Sequence, residues 1–337
     1  NNNFNGADVY ECNFSNFNTP GEYRIAIDGI GASNAFTISC AAFRQPFESV
    51  MKSLFFNRSG IDLGNPHVDN VRPAPHNTNL TPGYAGRLKY SSATVCEASV
   101  FDAAQEDSIL YTTNILGDLS TAGWYQDAGD WDAYTRHMEV PVELMLTYEH
   151  FPDNFIDGQL TIPESGNGIP DILDEARWLL KFYKDLKDET TSKGYTTGGI
   201  PGGRIFGDLW GFDLGPNDIV RGSWEDTDRT WVVSGEDPVM SFYYAGATAH
   251  FQWLLEEHGF VDPDNIDWEA ESVAAYAWAN NLYDVNYGCH EFDITYLKNY
   301  AAAALLRLTS NTTYNDDFVS SWNDTGITSP GEIQGEN

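Results

Sequence analysis

The hydrophobic period of the chain changes at residue 44, and this change constrains its fold most strongly. Before it, apolar residues alternate in three short runs, "ADVYECNF", "GEYRIAIDG" and "NAFTISC", with turn residues at 19–21 and 29–31 between them. After it, they recur mainly every three or four residues. Alternation is typical of half-buried strands, and the longer spacing of amphipathic helices. The sequence predicts a short β module followed by a helical domain.

Helical spacing predicts seven helices in that domain. They cover residues 45–60, 139–151, 170–186, 238–258, 266–283, 290–308 and 313–322. Pro141, Pro170 and Pro238 fall in predicted first turns, where proline is tolerated, and Gly60 suits a helix end. The segments 60–122 and 187–237 are predicted as loops, which are usually functional when so long.

Charge restricts the partners of the chain. The sequence has 18 Lys and Arg against 50 Asp and Glu, a formal net charge of −32. Such a field repels nucleic acid and anionic membrane surfaces but not a neutral polysaccharide. No apolar run is long enough to predict a membrane span. The seven scattered histidines predict no zinc site.

The stretch "GWYQDAGDWDAY", residues 123–134, combines carboxylates with aromatic side chains. Asp127 and Asp130 are three residues apart, so in a turn or at a helix start they face the same way. Two such carboxylates can hold one water, one accepting its proton while the other orients it. The alternative interpretation is a pair of turn-forming, helix-capping aspartates.

Aromatic side chains on the loops suit sugar binding, because flat rings stack on the apolar faces of pyranoses. We predict that some of the following contact substrate: Trp124, Tyr125, Trp131, Trp224 and Trp231. The alternative is that several are ordinary core residues.

Three motifs resemble glycoside hydrolase family 9, the inverting cellulases. "GWYQDAGDWDAY" resembles the family signature G-G-W-Y-D-A-G-D, and "IPESGNGIPDILDEARWLLKF" (162–182) resembles the turn and helix of the family. Residues 22–60 resemble the junction between an immunoglobulin-like module and the first barrel helix, and "VRPAPH" (71–76) resembles a family loop. The resemblance implies a mainly α, (α/α)6 toroid, incomplete in this chain. Residues 1–43 would be the C-terminal part of an immunoglobulin-like β-sandwich, and 44–337 the N-terminal portion of the toroid.

The family resemblance implies a secreted glycoside hydrolase that cleaves β-1,4-glucan with inversion. Asp130 would be the general base and Asp127 would help to position the water. Gln126 departs from the family pattern as an extra residue between Tyr125 and Asp127. No cofactor is implied for catalysis. A structural calcium is implied near "YGCHEFD", with Glu291 and Asp293 as oxygen ligands.

An inverting hydrolase also needs a carboxylic acid, roughly 6.5–9.5 Å from the base. The family supplies it as a Glu near the C-terminus of the domain, which we do not find, so we expect it outside this chain. Glu164, Glu225 and Glu236 are weaker candidates, and Glu164 is better interpreted as a brace of the turn before helix 170–186.

Two other functions compete with this prediction. The missing acid and the Gln126 insertion also fit a catalytically silent, glycosylated extracellular protein that uses the toroid for glycan binding or structure. A hydrolase acting on amino sugars is a third, weaker hypothesis.

Several features favour an extracellular protein. N-x-S/T sequons predict glycosylation at Asn13, Asn57, Asn79, Asn311 and Asn323. Cys12 and Cys40 flank the β-rich stretch and are candidates for a disulfide. The first residues lack a signal-peptide pattern, so a leader is expected to be removed or to lie upstream.

Overall fold

The computed structural model describes residues 6, 11–74, 88–94, 114–126, 135–202, 205–207, 214–215, 219–220, 231–285, 287 and 293–322. The chain forms two compact units, Asn1–Met51 and Lys52–Asn337. The predicted division into an immunoglobulin-like part (1–43) and a toroid part (44–337) stays a prediction. Within the ranges given, no helix is both long and apolar enough to cross a membrane.

The first unit contains two short antiparallel pairs. Strand β1 (Gly21–Tyr23) pairs with β4 (Phe36–Ile38), with Gly21 opposite Ile38. Strand β2 (Ala26–Ile27) pairs with β3 (Gly31–Ala32). Edge-to-face packing of Phe17 on Tyr23, at 4.9 Å between ring centroids, supports the first pair. The predicted β character of this stretch is confirmed, while its immunoglobulin-like assignment stays a prediction.

The disulfide predicted between Cys12 and Cys40 is not formed in this structure. Both residues are exposed free thiols. Residues 11–20, which carry Cys12, form no strand, whereas Cys40 follows β4 directly. No ladder therefore holds the two cysteines in register.

Seven α-helices occupy the described residues. They are α1 (Arg44–Phe56), α2 (Glu139–His150), α3 (Asp171–Ser192), α4 (Pro238–His258), α5 (Trp268–Asn280), α6 (Ile294–Thr309) and α7 (Thr313–Trp322). All seven correspond to predicted helices, although α1 ends four residues before Gly60 and α3 runs six residues beyond the predicted end. Helix α4 packs against α5 and α6, α6 packs against α7, and α2 packs against α3.

Local sequence explains the limits of the central helix α4. The Asp237 side chain accepts hydrogen bonds from the backbone N–H groups of Val239 and Met240, at 2.8 and 3.2 Å. Pro238 is the first helical residue, and Gly259 ends the helix in the left-handed conformation at φ 70°. These are an N-cap, a tolerated proline and a C-terminal glycine, each at its preferred position.

The long segments predicted as loops contain a small sheet that the sequence did not predict. Strands β5 (Leu88–Ser91), β6 (Ile115–Asp118), β7 (Ile205–Gly207) and β10 (Trp231–Val233) form it in the order β6-β5-β10-β7. β10 is parallel to β5 and antiparallel to β7. Strands β8 (Leu214–Gly215) and β9 (Ile219–Val220) form a separate pair.

Candidate active site

Part of the predicted site lies outside the described residues: Asp127, Asp130, Trp131 and Trp224. The chain leading to the Asp pair is described through Gln126. We call residues 118–126 the entry segment. The entry segment and the elements around it therefore define the described part of the candidate site.

The entry segment pairs with the turn that follows α1. The Ser59 N–H donates to the Trp124 carbonyl at 2.8 Å, and the Gln126 N–H donates to the Asn57 carbonyl at 2.8 Å. Gly60, predicted as a helix end, instead permits close approach here. A Cβ at Gly60 would lie 2.6 Å from the Cβ of Ala122. Backbone hydrogen bonds and a small residue thus fix the entry segment on one side.

A buried arginine underlies this pairing. The Arg58 side chain is fully buried and binds Glu175 through two hydrogen bonds, Nη2–Oε2 at 2.9 Å and Nε–Oε1 at 3.2 Å. Its Nη1 donates to both carboxylate oxygens of Glu164, at 2.9 and 3.1 Å. The guanidinium also lies over the Trp178 ring, 4.4 Å from its centroid. Burial alone would lower the pKa of Arg58, but the two carboxylates outweigh it and raise that pKa, so the arginine stays charged.

Tyr125 joins the entry segment to the same network. Its hydroxyl donates to Glu175 Oε1 at 2.5 Å and approaches the Glu175 carbonyl at 3.0 Å. Burial, followed by the negative charge of Glu175, raises the pKa of Tyr125 well above its usual value. The phenol therefore remains a hydrogen-bond donor over the whole physiological pH range.

The prediction that Trp124, Tyr125 and Trp231 stack on sugar is wrong in this structure. Their exposed fractions are 0%, 3% and 1%, so no ring face is open to a ligand. The Trp124 ring packs instead against Phe182 and Trp231, with centroids 5.9 and 6.2 Å away. The rings lie in the core, which was the alternative interpretation. The predictions for Trp131 and Trp224 remain open.

Gln126, the residue that departs from the family signature, is buried. Its Oε1 accepts from Arg72 Nη1 at 3.1 Å, and Arg72 Nη2 donates to the Arg58 carbonyl at 3.0 Å. Arg72 belongs to the "VRPAPH" motif. The extra residue is thus accommodated by a hydrogen-bonded arginine rather than left in solvent.

The described in-chain candidates for the catalytic acid hold loops in place. Glu164 pairs with Arg58, as its interpretation as a brace requires. Glu236 accepts from the Thr197 N–H and hydroxyl at 2.8 Å each and from the Gly199 N–H at 3.0 Å. Both carboxylates therefore bind donors of neighbouring segments, which is a structural role. Glu225 lies outside the described residues.

Only one of the two predicted calcium ligands lies among the described residues. Glu291 lies outside the described residues, and the Asp293 side chain caps α6 by accepting from the Thr295 N–H at 2.7 Å. In the part of the chain that is described, no three His, Cys, Asp or Glu side chains are grouped to hold a metal. Calcium binding stays a prediction.

The sequons are described at three of the five positions. Asn13 and Asn311 are exposed and Asn57 is half-buried, while Asn79 and Asn323 lie outside the described residues. The Asn13 and Asn311 side chains each accept a hydrogen bond from a backbone N–H two residues on, at 3.0 and 3.1 Å. Glycosylation stays a prediction at all five positions.

A second buried carboxyl lies beside the arginine network. Asp174, in the first turn of α3, is 2% exposed, and its Oδ1 accepts from the Asn167 amide at 2.8 Å. Its Oδ2 is buried and has no hydrogen-bond partner among the described residues. Burial first, and then the charges of Glu164 and Asp171, raise the pKa of Asp174 from 3.8 to about 7.

We expect Asp174→Asn to change the pH dependence of stability. Because the native pKa exceeds the unfolded one, Asp174 contributes stability that is complete below pH 3.8 and is lost as the pH rises through about 7. Each pKa unit corresponds to about 1.4 kcal/mol, so the loss totals roughly 4 kcal/mol. Thermal unfolding should be measured between pH 4 and 9. The melting temperature of Asp174→Asn should rise relative to that of the wild type up to neutral pH, and the difference should then stay constant. If the melting temperatures of the variant and the wild type change in parallel with pH, the expectation is contradicted. The control is Asp188→Asn, at an exposed position of the same helix.

The fold is shared with solved glycosidases. A metagenome-derived glycoside hydrolase family 9 endoglucanase superimposes with a TM-score of 0.64 at 21% identity, over 92% of this chain and 51% of that chain. A single-mutant thermostable endoglucanase from Alicyclobacillus acidocaldarius gives 0.66 at 18% identity, over 95% and 53%. The described helices therefore share the (α/α)6 barrel fold of these glycoside hydrolase family 9 endoglucanases.

The chain is also similar in sequence to curated cellulases. Endoglucanase D of Acetivibrio thermocellus is 31% identical over 184 residues, 53% of this chain and 25% of the relative. Cellulose 1,4-beta-cellobiosidase of the same organism is 30% identical over 195 residues, 53% of this chain and 20% of the relative. The aligned part of the chain thus spans only a fifth to a quarter of the length of these curated relatives. No protein-family model matches the chain. The resemblance to glycoside hydrolase family 9 is confirmed by these relatives in sequence and by the solved structures in fold.

Proposed function

We propose that this chain is part of a secreted glycoside hydrolase that cleaves β-1,4-glucan with inversion of the anomeric carbon. The observation that carries the proposal is the "DAGD" motif, which in the sequence directly follows the hydrogen-bonded entry segment of a chain that shares the fold of family 9 endoglucanases. The similarity to an endoglucanase and a cellobiosidase supports the same substrate class.

The proposed chemistry uses one carboxylate pair and one acid. Asp130 accepts a proton from a water that Asp127 helps to position, and the water attacks the anomeric carbon opposite the leaving oxygen. A carboxylic acid outside this chain protonates that oxygen. Trp131 and Trp224 remain the proposed stacking residues. No cofactor takes part in these steps.

Two features support the proposal of secretion. Exposed sequon residues Asn13 and Asn311 are accessible to glycosylation. The net charge of −32 favours solubility and does not repel a neutral polysaccharide. The proposed partner is a β-glucan polymer.

Activity of the natural, full-length protein on three soluble polysaccharides tests this function. We expect reducing ends to appear from carboxymethylcellulose, which is β-1,4-linked, and not from laminarin (β-1,3) or soluble starch (α-1,4). Folded protein that binds carboxymethylcellulose but releases no reducing ends supports the silent glycan-binding alternative. Hydrolysis of starch alone contradicts the proposed substrate class.

A further inference from the structure

Helix α3 carries two carboxylates that both reach the entry segment. Glu175 binds the Tyr125 hydroxyl near the start of the helix, and Glu189 binds Ser120 and Thr121 near its end. The two glutamates are 14 residues apart in the chain. At 3.6 residues per turn and 1.5 Å per residue, they point within about 40° of each other, about 21 Å apart along the axis.

The Glu189 contact is a dense set of charge-assisted hydrogen bonds. Ser120 donates from its N–H at 2.8 Å and its hydroxyl at 2.9 Å, and Thr121 does so at 2.8 and 2.6 Å. Lys193 adds an ion pair at 2.7 Å. Burial alone would raise the pKa of Glu189, but Lys193 and the donors on Thr121 and Ser120 lower that pKa to about 2. The carboxylate is therefore ionised at neutral pH.

Between these contacts the entry segment lies directly on α3. Gly123 has a φ of 135°, and a Cβ there would lie 3.5 Å from the Trp178 ring and 3.6 Å from Phe182. The Trp124 ring packs against Phe182. Glu175, Trp178, Phe182 and Glu189 thus form one stripe, which we call the anchor face.

The order of contacts defines the direction of the entry segment. Ser120 and Thr121 lie at Glu189, Gly123 lies at Trp178 and Phe182, and Tyr125 lies at Glu175. The segment therefore runs antiparallel to α3. The five residue steps from Ser120 to Tyr125 cover about 17 Å when fully extended, about 4 Å less than the axial spacing of the two glutamates.

We propose that the anchor face of α3 sets the position of the Asp pair, with Tyr125 as the positioning residue. This inference rests on the proposed function. Asp127 follows Tyr125 by two residues and Asp130 by five. The hydrogen bond to Glu175 fixes the position of Tyr125 along the axis of α3. The hydrogen bonds of Ser120 and Thr121 to Glu189 fix the other end of the segment, so that it cannot shift along the helix. Catalytic groups need placement to about 0.5 Å, and two fixed contacts on one helix restrict where the chain enters the "DAGD" motif.

Tyr125→Phe in the natural full-length protein tests the proposal. The ring still fills its place in the core, and only the hydroxyl bonded to Glu175 is lost. We expect kcat on carboxymethylcellulose to fall roughly tenfold with KM changed less than about twofold, because misplaced groups weaken the chemical step more than binding. The matched control is Tyr244→Phe, a buried tyrosine whose hydroxyl donates to Glu271 at 3.3 Å on α5. It should lower the melting temperature similarly while keeping kcat.

A second variant acts at the other end of the segment. Thr121→Val removes the hydroxyl bonded to Glu189 and should also lower kcat while KM stays unchanged. This variant tests the positioning role if Tyr125→Phe does not fold. Wild-type kcat in the folded variants, with only the melting temperature reduced, overturns the positioning role. That result leaves the proposed function standing if the wild type hydrolyses the glucan. Absence of hydrolysis by the wild type overturns both.

Discussion

Replacing Arg58 by methionine is expected to lower the free energy of unfolding by roughly 3–5 kcal/mol. Methionine fills much of the space between Phe55 and Trp178 but removes the positive charge that pairs with Glu164 and Glu175. Glu175 is fully buried, so it would be left as an uncompensated charge with the Tyr125 hydroxyl as a side-chain donor. Chemical denaturation followed by tryptophan fluorescence measures the effect.

Two controls separate the loss of the buried charge from general damage at this position. The double variant Arg58→Met with Glu175→Met should be less destabilised than the sum of the single variants, because the orphaned charge is gone. Lys184→Met breaks a pair with Asp188, whose side chain is half-exposed, and should cost less than about 1 kcal/mol. An Arg58→Met loss no larger than that of Lys184→Met contradicts the role given to the buried network.

Replacing Asp130 by asparagine is expected to lower kcat by about 10²–10⁴, the range for loss of a general base. Asparagine has nearly the same shape but cannot take a proton from water. Affinity for glucan and the melting temperature should stay near their wild-type values. Initial rates on carboxymethylcellulose with the full-length protein measure this loss.

The neighbouring carboxylate provides a graded comparison. Asp127→Asn should cost less than Asp130→Asn, because orienting a water is less demanding than deprotonating it. Asp188→Asn on the exposed side of α3 should leave kcat unchanged. Equal activity of Asp130→Asn and wild type would remove Asp130 from the mechanism.

The helices were predictable because their signals are local. Asp237, Pro238 and Gly259 mark the limits of α4 within a single stretch of chain. The four-stranded sheet was not predictable, since β5 has four residues and its partner β10 lies far along the chain. Short strands paired across such distances leave no periodic pattern to detect.

The site was predicted in part for the same reason. The Asp pair was identified from a contiguous motif, whereas Arg58 and Glu175 are 117 residues apart and Glu189 is 69 residues from Ser120. Arg58 follows the apolar run "LFF" (54–56) by two residues, and this position was a local hint of a buried arginine. Trp124 and Tyr125 were assigned to sugar binding because a loop position does not reveal whether a ring is buried; at 0% and 3% exposure, both are.

The anomeric configuration of the first product tests the central proposal most directly. The natural full-length protein would be mixed with a soluble β-1,4-glucan oligosaccharide, and the new reducing ends followed by proton NMR before mutarotation. Water activated by Asp130 attacks the face opposite the leaving group, so we expect α-anomers first, with β-anomers appearing only at the rate of mutarotation. Initial release of β-anomers would show retention and contradict the roles proposed for Asp127 and Asp130.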